Sequence, residues 1–153
     1  MKLYTSYYYQ LRFFPKNLIA LNTTIWPPKY VQLGQKDKRG VILIDCPPLK
    51  PGIECEGLCN GKCNPQHPQD CSFLKTYYNQ LSKINFEKFL FHLKNLRIKI
   101  EQEENLTNIN FAFIVFEAPT KQCSERWMIH KWIKEHNLNI QEWNKMEVNY
   151  GSN

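Results

Sequence analysis

The sequence predicts a single α/β domain over residues 1–153, with a mainly parallel or mixed sheet flanked by helices. Short segments rich in aromatic and β-branched residues alternate with segments whose apolar residues recur at helical spacing. One segment, Asn110–Glu117, reads NFAFIVFE and is almost wholly apolar. Such a run is typical of a strand that is buried on both faces, as in parallel sheets. The chain shows neither an internal repeat nor a linker between domains.

Three strands are predicted in the first third of the chain, at Leu3–Tyr9, Asn17–Thr24 and Val41–Asp45. The second strand ends at Trp26-Pro27-Pro28, because proline cannot donate a hydrogen bond to a neighbouring strand. The stretch Val31–Gly40 reads as a polar loop. The three strands therefore precede all of the predicted helices.

Three helices follow. The first spans Ser72–Leu81, with Ser72 as its N-cap, and the second spans Phe86–Glu101 with apolar residues on one face. The third begins at Cys123 and runs to Leu138, after the buried strand. A last short strand is predicted at Asn139–Trp143.

Composition and charge limit the compartment and the partners. The longest apolar run, Phe111–Phe116, is too short to span a bilayer, and the first residues do not form the apolar core of a signal peptide. We therefore expect a cytoplasmic protein with no membrane partner. The net charge of +6 favours nucleic acids or phosphorylated ligands, although a solvated basic face would explain the same excess.

Four of the six cysteines lie within residues 55–71, in the pattern C-x3-C-x3-C-x7-C. Glycines and prolines exclude a regular helix there, so we predict an ordered loop inserted into the fold. Thiolates spaced by three residues can surround a zinc ion, and four of them would complete its coordination. The sequence thus predicts a structural zinc, held by Cys55, Cys59, Cys63 and Cys71, with His67 as the substitute ligand.

Three alternatives to zinc stay open for this cysteine-rich segment. The thiols could be reduced and unligated, they could form disulfides, or they could hold an iron–sulfur cluster. A reducing compartment disfavours disulfides, and the spacing does not match common ferredoxin patterns.

A second candidate site lies where the buried strand leads into the third helix. Ligands of α/β sheets bind at the carboxyl ends of strands, beside helix N-termini that favour anions. Cys123 is a candidate nucleophile there, Glu117 a candidate base, and Arg126 a candidate clamp for a phosphate. The plainer interpretation is that Cys123 is a small buried residue and that Arg126 pairs with Glu117. The sequence has no dinucleotide-binding, Walker or zinc-deaminase motif.

Aromatic residues beside lysines form a further candidate surface. Trp26 could stack on a base and Lys29 could hold a phosphate, although core and edge packing also explains such aromatic residues.

Several short motifs resemble the domain-of-unknown-function family four-eight-eight, which consists of small α/β proteins of bacteria and phages. Tyr4 and Thr5 match the Tyr-Thr-rich opening strand of that family, and both are candidate ligand-binding residues. Glu117 and Cys123 match its late strand–Glu–loop–Cys-His-Arg–helix element. Here Cys-Ser-Glu-Arg replaces Cys-His-Arg, so the histidine is missing and Arg126 is displaced by one residue. The resemblance implies the fold and carries no established reaction.

Taken together, these features predict a protein that binds a nucleotide or nucleic acid at the late strand–loop–helix junction. It could be an enzyme that processes nucleotides or nucleic acids. The alternative is a non-enzymatic, zinc-braced protein that engages nucleic acid or a protein partner, such as a phage-encoded modulator of host defence.

Overall fold

Six strands and three α-helices make up the regular structure of the described residues, which are 1–59, 64, 66–120 and 123–145 of a computed structural model. In chain order they are β1 (Leu3–Tyr7), β2 (Leu18–Asn22), β3 (Gln35–Lys36), β4 (Ile42–Asp45), α1 (Ser72–Ser82), α2 (Phe86–Glu104), β5 (Asn110–Val115), α3 (Arg126–Glu135) and β6 (Ile140–Glu142). They form one sheet in the order β3-β4-β2-β5-β1-β6, and within it only β3 is antiparallel to its neighbour. The prediction of an α/β fold with a mixed sheet flanked by helices is confirmed.

The centre of the sheet is β5, which pairs with β2 on one side and with β1 on the other. Its side chains alternate between two separate cores: Phe111 and Phe113 face one, and Ala112 and Ile114 face the other. All four are fully buried. Burial on both faces is the physical reason for the apolar run in the sequence.

The two faces of the sheet are covered differently. All three α-helices contribute to the core that contains Phe113, through residues such as Leu74, Phe89 and Trp132. The opposite core is closed by the 3-10 helix at Tyr8–Phe13 and by loop residues that include Val31. The helices therefore lie on one face, and irregular segments cover the other.

Two predicted segments differ from the structure. The predicted strand Leu3–Tyr9 ends at Tyr7, because the chain turns into the 3-10 helix Tyr8–Phe13. The predicted loop Val31–Gly40 contains β3, whose two exposed residues pair with β4 at the edge of the sheet. Such a short exposed strand carries no alternation that would mark it in the sequence.

Helix ends are set by capping residues. The N-cap of α1 is Cys71 rather than the predicted Ser72, and its sulfur accepts a hydrogen bond from the Leu74 amide. Asn85 caps α2 in the same way through its side chain. Asn105 ends α2 in the left-handed conformation, with a φ of 53°, a position that asparagine tolerates.

The parallel strands bring their carboxyl ends to one edge of the sheet, and the residues that follow β1, β2, β4 and β5 meet there. This carboxyl edge is where ligands bind in most open α/β sheets. None of the helices in the described ranges is both long and apolar enough to cross a lipid bilayer.

Candidate functional site

A cleft of about 380 Å³ opens at the carboxyl edge of the sheet. One wall comes from the segment after β2, including Trp26, and another from the segment after β5, including Phe116 and Glu117. Trp26 is 83% exposed and Phe116 is 59% exposed, although both are large apolar side chains. Exposed aromatic residues beside a cleft are typical of binding sites.

Three glutamates line this cleft: Glu56 is exposed, Glu117 is half-buried and Glu125 is buried. Glu125 is only 6% exposed, and burial raises its pKa to about 8; the nearby charge of Glu117 acts in the same direction. A backbone hydrogen bond and the charge of Arg126 oppose this rise. The Oε2 atom of Glu117 is buried and has no hydrogen-bond partner. A ligand with an N–H group could therefore donate a hydrogen bond to this oxygen at the polar end of the cleft.

Arg126, the first residue of α3, is fully buried and its guanidinium is occupied. Its Nε and Nη2 atoms donate to the two carboxylate oxygens of Glu142, at 2.9 and 3.1 Å. Its Nη1 donates to the carbonyl oxygen of Glu117 at 2.7 Å. A phosphate at Arg126 would first have to displace Glu142, so the geometry favours a structural role for this arginine.

The ion pair continues into a chain of hydrogen bonds that joins β1, β6 and α3. The Thr5 hydroxyl donates to Glu142 Oε1 at 2.7 Å and lies 2.6 Å from His130 Nε2. Because its one proton goes to Glu142, the hydroxyl oxygen accepts from His130, which assigns the proton of the neutral ring to Nε2. Burial, together with the charges of Lys134 and Arg126, lowers the pKa of His130 to about 4.

Cys123 lies next to the cysteine-rich segment rather than in the cleft. Its sulfur is 2.8 Å from the sulfur of Cys59, a residue 64 positions earlier in the chain. Cys59 is exposed and Cys123 is half-buried. The structure thus brings together one residue from each of the two sites that the sequence predicts separately.

The other predicted zinc ligands are placed apart or lie outside the described residues. The buried thiol of Cys55 faces Gln80, donating to its Oε1 at 4.0 Å, and burial raises its pKa. Cys71 caps α1, His67 is exposed, and Cys63 lies outside the described residues. Across the described ranges, no group of three or more histidine, cysteine, aspartate or glutamate side chains could hold a metal ion. The zinc-binding part of the fold prediction is therefore not confirmed.

The predicted ligand-binding residues do not converge on one site. Trp26 lines the cleft at the carboxyl edge, and Lys29 is an exposed residue three positions after it. Thr5 and Arg126 share Glu142 in the buried network. Tyr4 lines a different cleft, of about 500 Å³, at the start of β1 and β6.

Sequence reasoning missed three polar residues at the carboxyl edge. Glu125 gives no signal in the sequence, because a glutamate between serine and arginine resembles a solvated position. Asn22 and Asp45 follow apolar strands, which could have marked them; the Asn22 amide donates to Asp45 Oδ1 at 2.9 Å. Asn22 Oδ1 also accepts a hydrogen bond from the Tyr8 hydroxyl, and burial raises the pKa of Tyr8.

Comparison of the chain with protein-family models, with curated proteins and with solved structures gives no match. The resemblance to the domain-of-unknown-function family four-eight-eight stays a prediction. Only the geometry of the chain itself therefore indicates its function.

Proposed function

We propose that this protein binds a nucleotide or nucleic acid by one of its bases. The base enters the cleft between Trp26 and Phe116, and its edge meets the carboxyl groups of Glu117 and Glu125. The observation that supports this most directly is the pairing of exposed aromatic side chains with the buried Glu125 and the half-buried Glu117 in one cleft.

The aromatic part of the cleft suits a planar ligand. Stacking of a base on an aromatic side chain contributes about 1–3 kcal/mol and tolerates any base. A flat ring on Trp26 would also remove from water an indole that is now 83% exposed. Phe116 is the first residue after β5, the central strand of the sheet, and it offers a second apolar surface in the same cleft.

The carboxyl groups suit the edge of a base rather than a phosphate. A carboxylate at Glu117 would accept hydrogen bonds from exocyclic amino groups such as that of cytosine and would repel an anion. The Glu125 carboxyl, whose pKa is raised to about 8, is mostly protonated at pH 7 and can both donate and accept a hydrogen bond. The phosphate of the ligand would therefore stay outside the cleft, where the exposed Lys29 follows Trp26 and the net charge of +6 favours a polyanion. This arrangement differs from the sequence-based prediction, in which Arg126 holds the phosphate.

Replacing Trp26 with alanine is expected to weaken binding by about 5- to 150-fold, the loss of one stacked base. Isothermal titration calorimetry with the four ribonucleoside monophosphates and with short single-stranded homopolymers measures this loss. The matched control is Tyr30→Ala, which removes an aromatic residue that is 73% exposed and does not line the cleft. Equal affinity in the Trp26 variant, or no binding of any nucleotide by the wild type, would contradict the proposal.

The carboxyl groups make a further prediction about base preference. Adenine, cytosine and guanine carry an amino group and uracil does not, so we expect uridine ligands to bind about tenfold more weakly. Replacing Glu117 with glutamine exchanges one acceptor oxygen of the side chain for an NH2 donor. This change should reduce the preference for bases that carry an amino group. Glu103→Gln, an exposed change on α2, serves as the control. A preference that survives Glu117→Gln unchanged would argue against contact between this residue and the base.

A second candidate function is the non-enzymatic binding protein, in which the cysteine-rich segment engages nucleic acid or a protein partner. The contact between Cys59 and Cys123 favours it, because this contact joins that segment to the start of the third helix. Binding that requires the segment and survives Trp26→Ala would support this candidate over the cleft.

A further inference from the structure

We infer that Cys59 and Cys123 are two ligands of one structural zinc ion, and that Cys55 is not one of its ligands. The zinc would join the cysteine-rich segment to the loop before α3. This inference is independent of the proposed function, because it is tested by metal content and not by nucleotide binding.

The position of the two sulfurs supports a shared metal ion. They come from segments 64 residues apart and lie 2.8 Å from each other, so both side chains point at one place. This distance exceeds the S–S bond of a disulfide, which is about 2.0 Å. Zinc–sulfur bonds of about 2.3 Å in a tetrahedron hold two sulfurs about 3.8 Å apart. Binding therefore requires the sulfurs to separate by about 1 Å, and both residues lie outside the helices and strands, where small rotations suffice.

Cys71, another predicted ligand, lies at the start of a helix that packs against α3. Cys71 is the N-cap of α1, and α1 packs against α3. The two helices run side by side: the Lys131 ammonium of α3 lies 4.4 Å from the centre of the Tyr78 ring of α1. Cys71 and Cys123 therefore each precede one helix of a packed pair. Cys71 is a further candidate ligand on this ground, and Cys63 lies outside the described residues.

Cys55 lies in a different environment from Cys59 and Cys123. Its thiol is buried, and it faces the side-chain oxygen of Gln80 instead of another sulfur. Burial raises its pKa, which opposes the thiolate form that zinc requires. A serine at this position could keep the hydrogen bond to Gln80, so Cys55→Ser provides a conservative control.

Metal content of purified variants tests the inference. Native mass spectrometry and elemental analysis should find about one zinc per chain in the wild type and in Cys55→Ser. In Cys59→Ser and in Cys123→Ser, zinc should fall below about a tenth per chain after exposure to a competing chelator, because each lacks one thiolate. Zinc that survives Cys123→Ser but is lost in Cys55→Ser would overturn the assignment. So would a wild type that binds no zinc, including one whose mass is lower by two hydrogens because the thiols have formed a disulfide.

A measurement on the unchanged protein covers the case in which a variant does not fold. Alkylation with N-ethylmaleimide, read by peptide mass spectrometry, should leave Cys59 and Cys123 unmodified in the zinc-loaded protein. Removal of zinc by a chelator should expose both to modification together. Rapid alkylation of either residue in the zinc-loaded protein would overturn the inference.

Discussion

Replacing Arg126 with alanine is expected to lower the free energy of unfolding by about 3–5 kcal/mol. The guanidinium is fully buried and donates to both carboxylate oxygens of Glu142, which is itself only 17% exposed. Removing the cation leaves that carboxylate desolvated and without its charge partner. It also leaves the carbonyl oxygen of Glu117 without the hydrogen bond that it now accepts at 2.7 Å.

Urea denaturation at pH 7 measures this effect, with Arg97→Ala as the control. Arg97 lies 3.9 Å from Glu101 on the partly exposed side of α2, and such pairs contribute less than about 1 kcal/mol. The double variant Arg126→Ala/Glu142→Gln should recover part of the loss, because it removes the unpaired charge. An Arg126→Ala protein as stable as the wild type would show that the buried pair does not stabilise the fold, and would return this arginine to the list of ligand-binding candidates.

Arg126 also shows why the candidate site was harder to predict than the fold. In the sequence, an arginine at the start of a helix after a buried strand suggests an anion site. Its actual partner, Glu142, lies 16 residues later on a short edge strand, and no local pattern links the two. Pairing across a fold depends on how strands and helices are ordered in space, which the spacing of residues does not record.

The fold was predictable because its main signal is local. The run Asn110–Val115 is apolar at nearly every position. A strand that is buried on both faces of a sheet needs such a composition, because none of its side chains reaches water. Apolar residues at helical spacing indicate α1 and α2 in the sequence in the same direct way. The edge strand β3 was not predictable, because two exposed residues gain their strand conformation from pairing with β4.

The cysteines illustrate both situations. Their clustering in residues 55–71 is visible in the sequence and predicts a shared role. The sequence could not show that Cys123 would meet Cys59, since 64 residues separate them. Local spacing therefore favours Cys55 as a ligand, whereas the contacts of the folded chain favour Cys123.

The second large effect is expected at His130, whose contribution to stability should depend on pH. In the folded protein burial lowers the pKa of His130 to about 4, whereas in the unfolded chain it returns to its ordinary value of 6.5. The groups that face it are Arg126 and Lys134 on α3, and Thr5 with the Glu142 carboxylate behind it on the sheet. The two cations make protonation less favourable, and burial removes water from the charged ring.

The direction of this pH dependence follows from which state, folded or unfolded, binds the proton more readily. Between about pH 4 and 6.5 the unfolded chain is protonated at this position and the folded chain is not, so acid favours unfolding. The contribution is fully present above pH 6.5 and is lost as the pH falls toward 4. It amounts to about 2–3 kcal/mol.

Comparing the wild type with His130→Gln isolates this contribution from the other acid-sensitive groups. We expect the wild type to lose about 2–3 kcal/mol more than the variant between pH 7 and pH 4, measured by urea denaturation at each pH. The control is His92→Gln, which changes an exposed histidine of α2 and should leave the pH profile unchanged.

Parallel profiles for the wild type and His130→Gln would mean that the ring is not held neutral, and the chain of hydrogen bonds from Arg126 to His130 would then need a different proton arrangement. A wild-type protein that loses the additional stability would instead support a neutral His130 that donates to Thr5, and would identify the junction of β1, β6 and α3 as the acid-sensitive part of the fold.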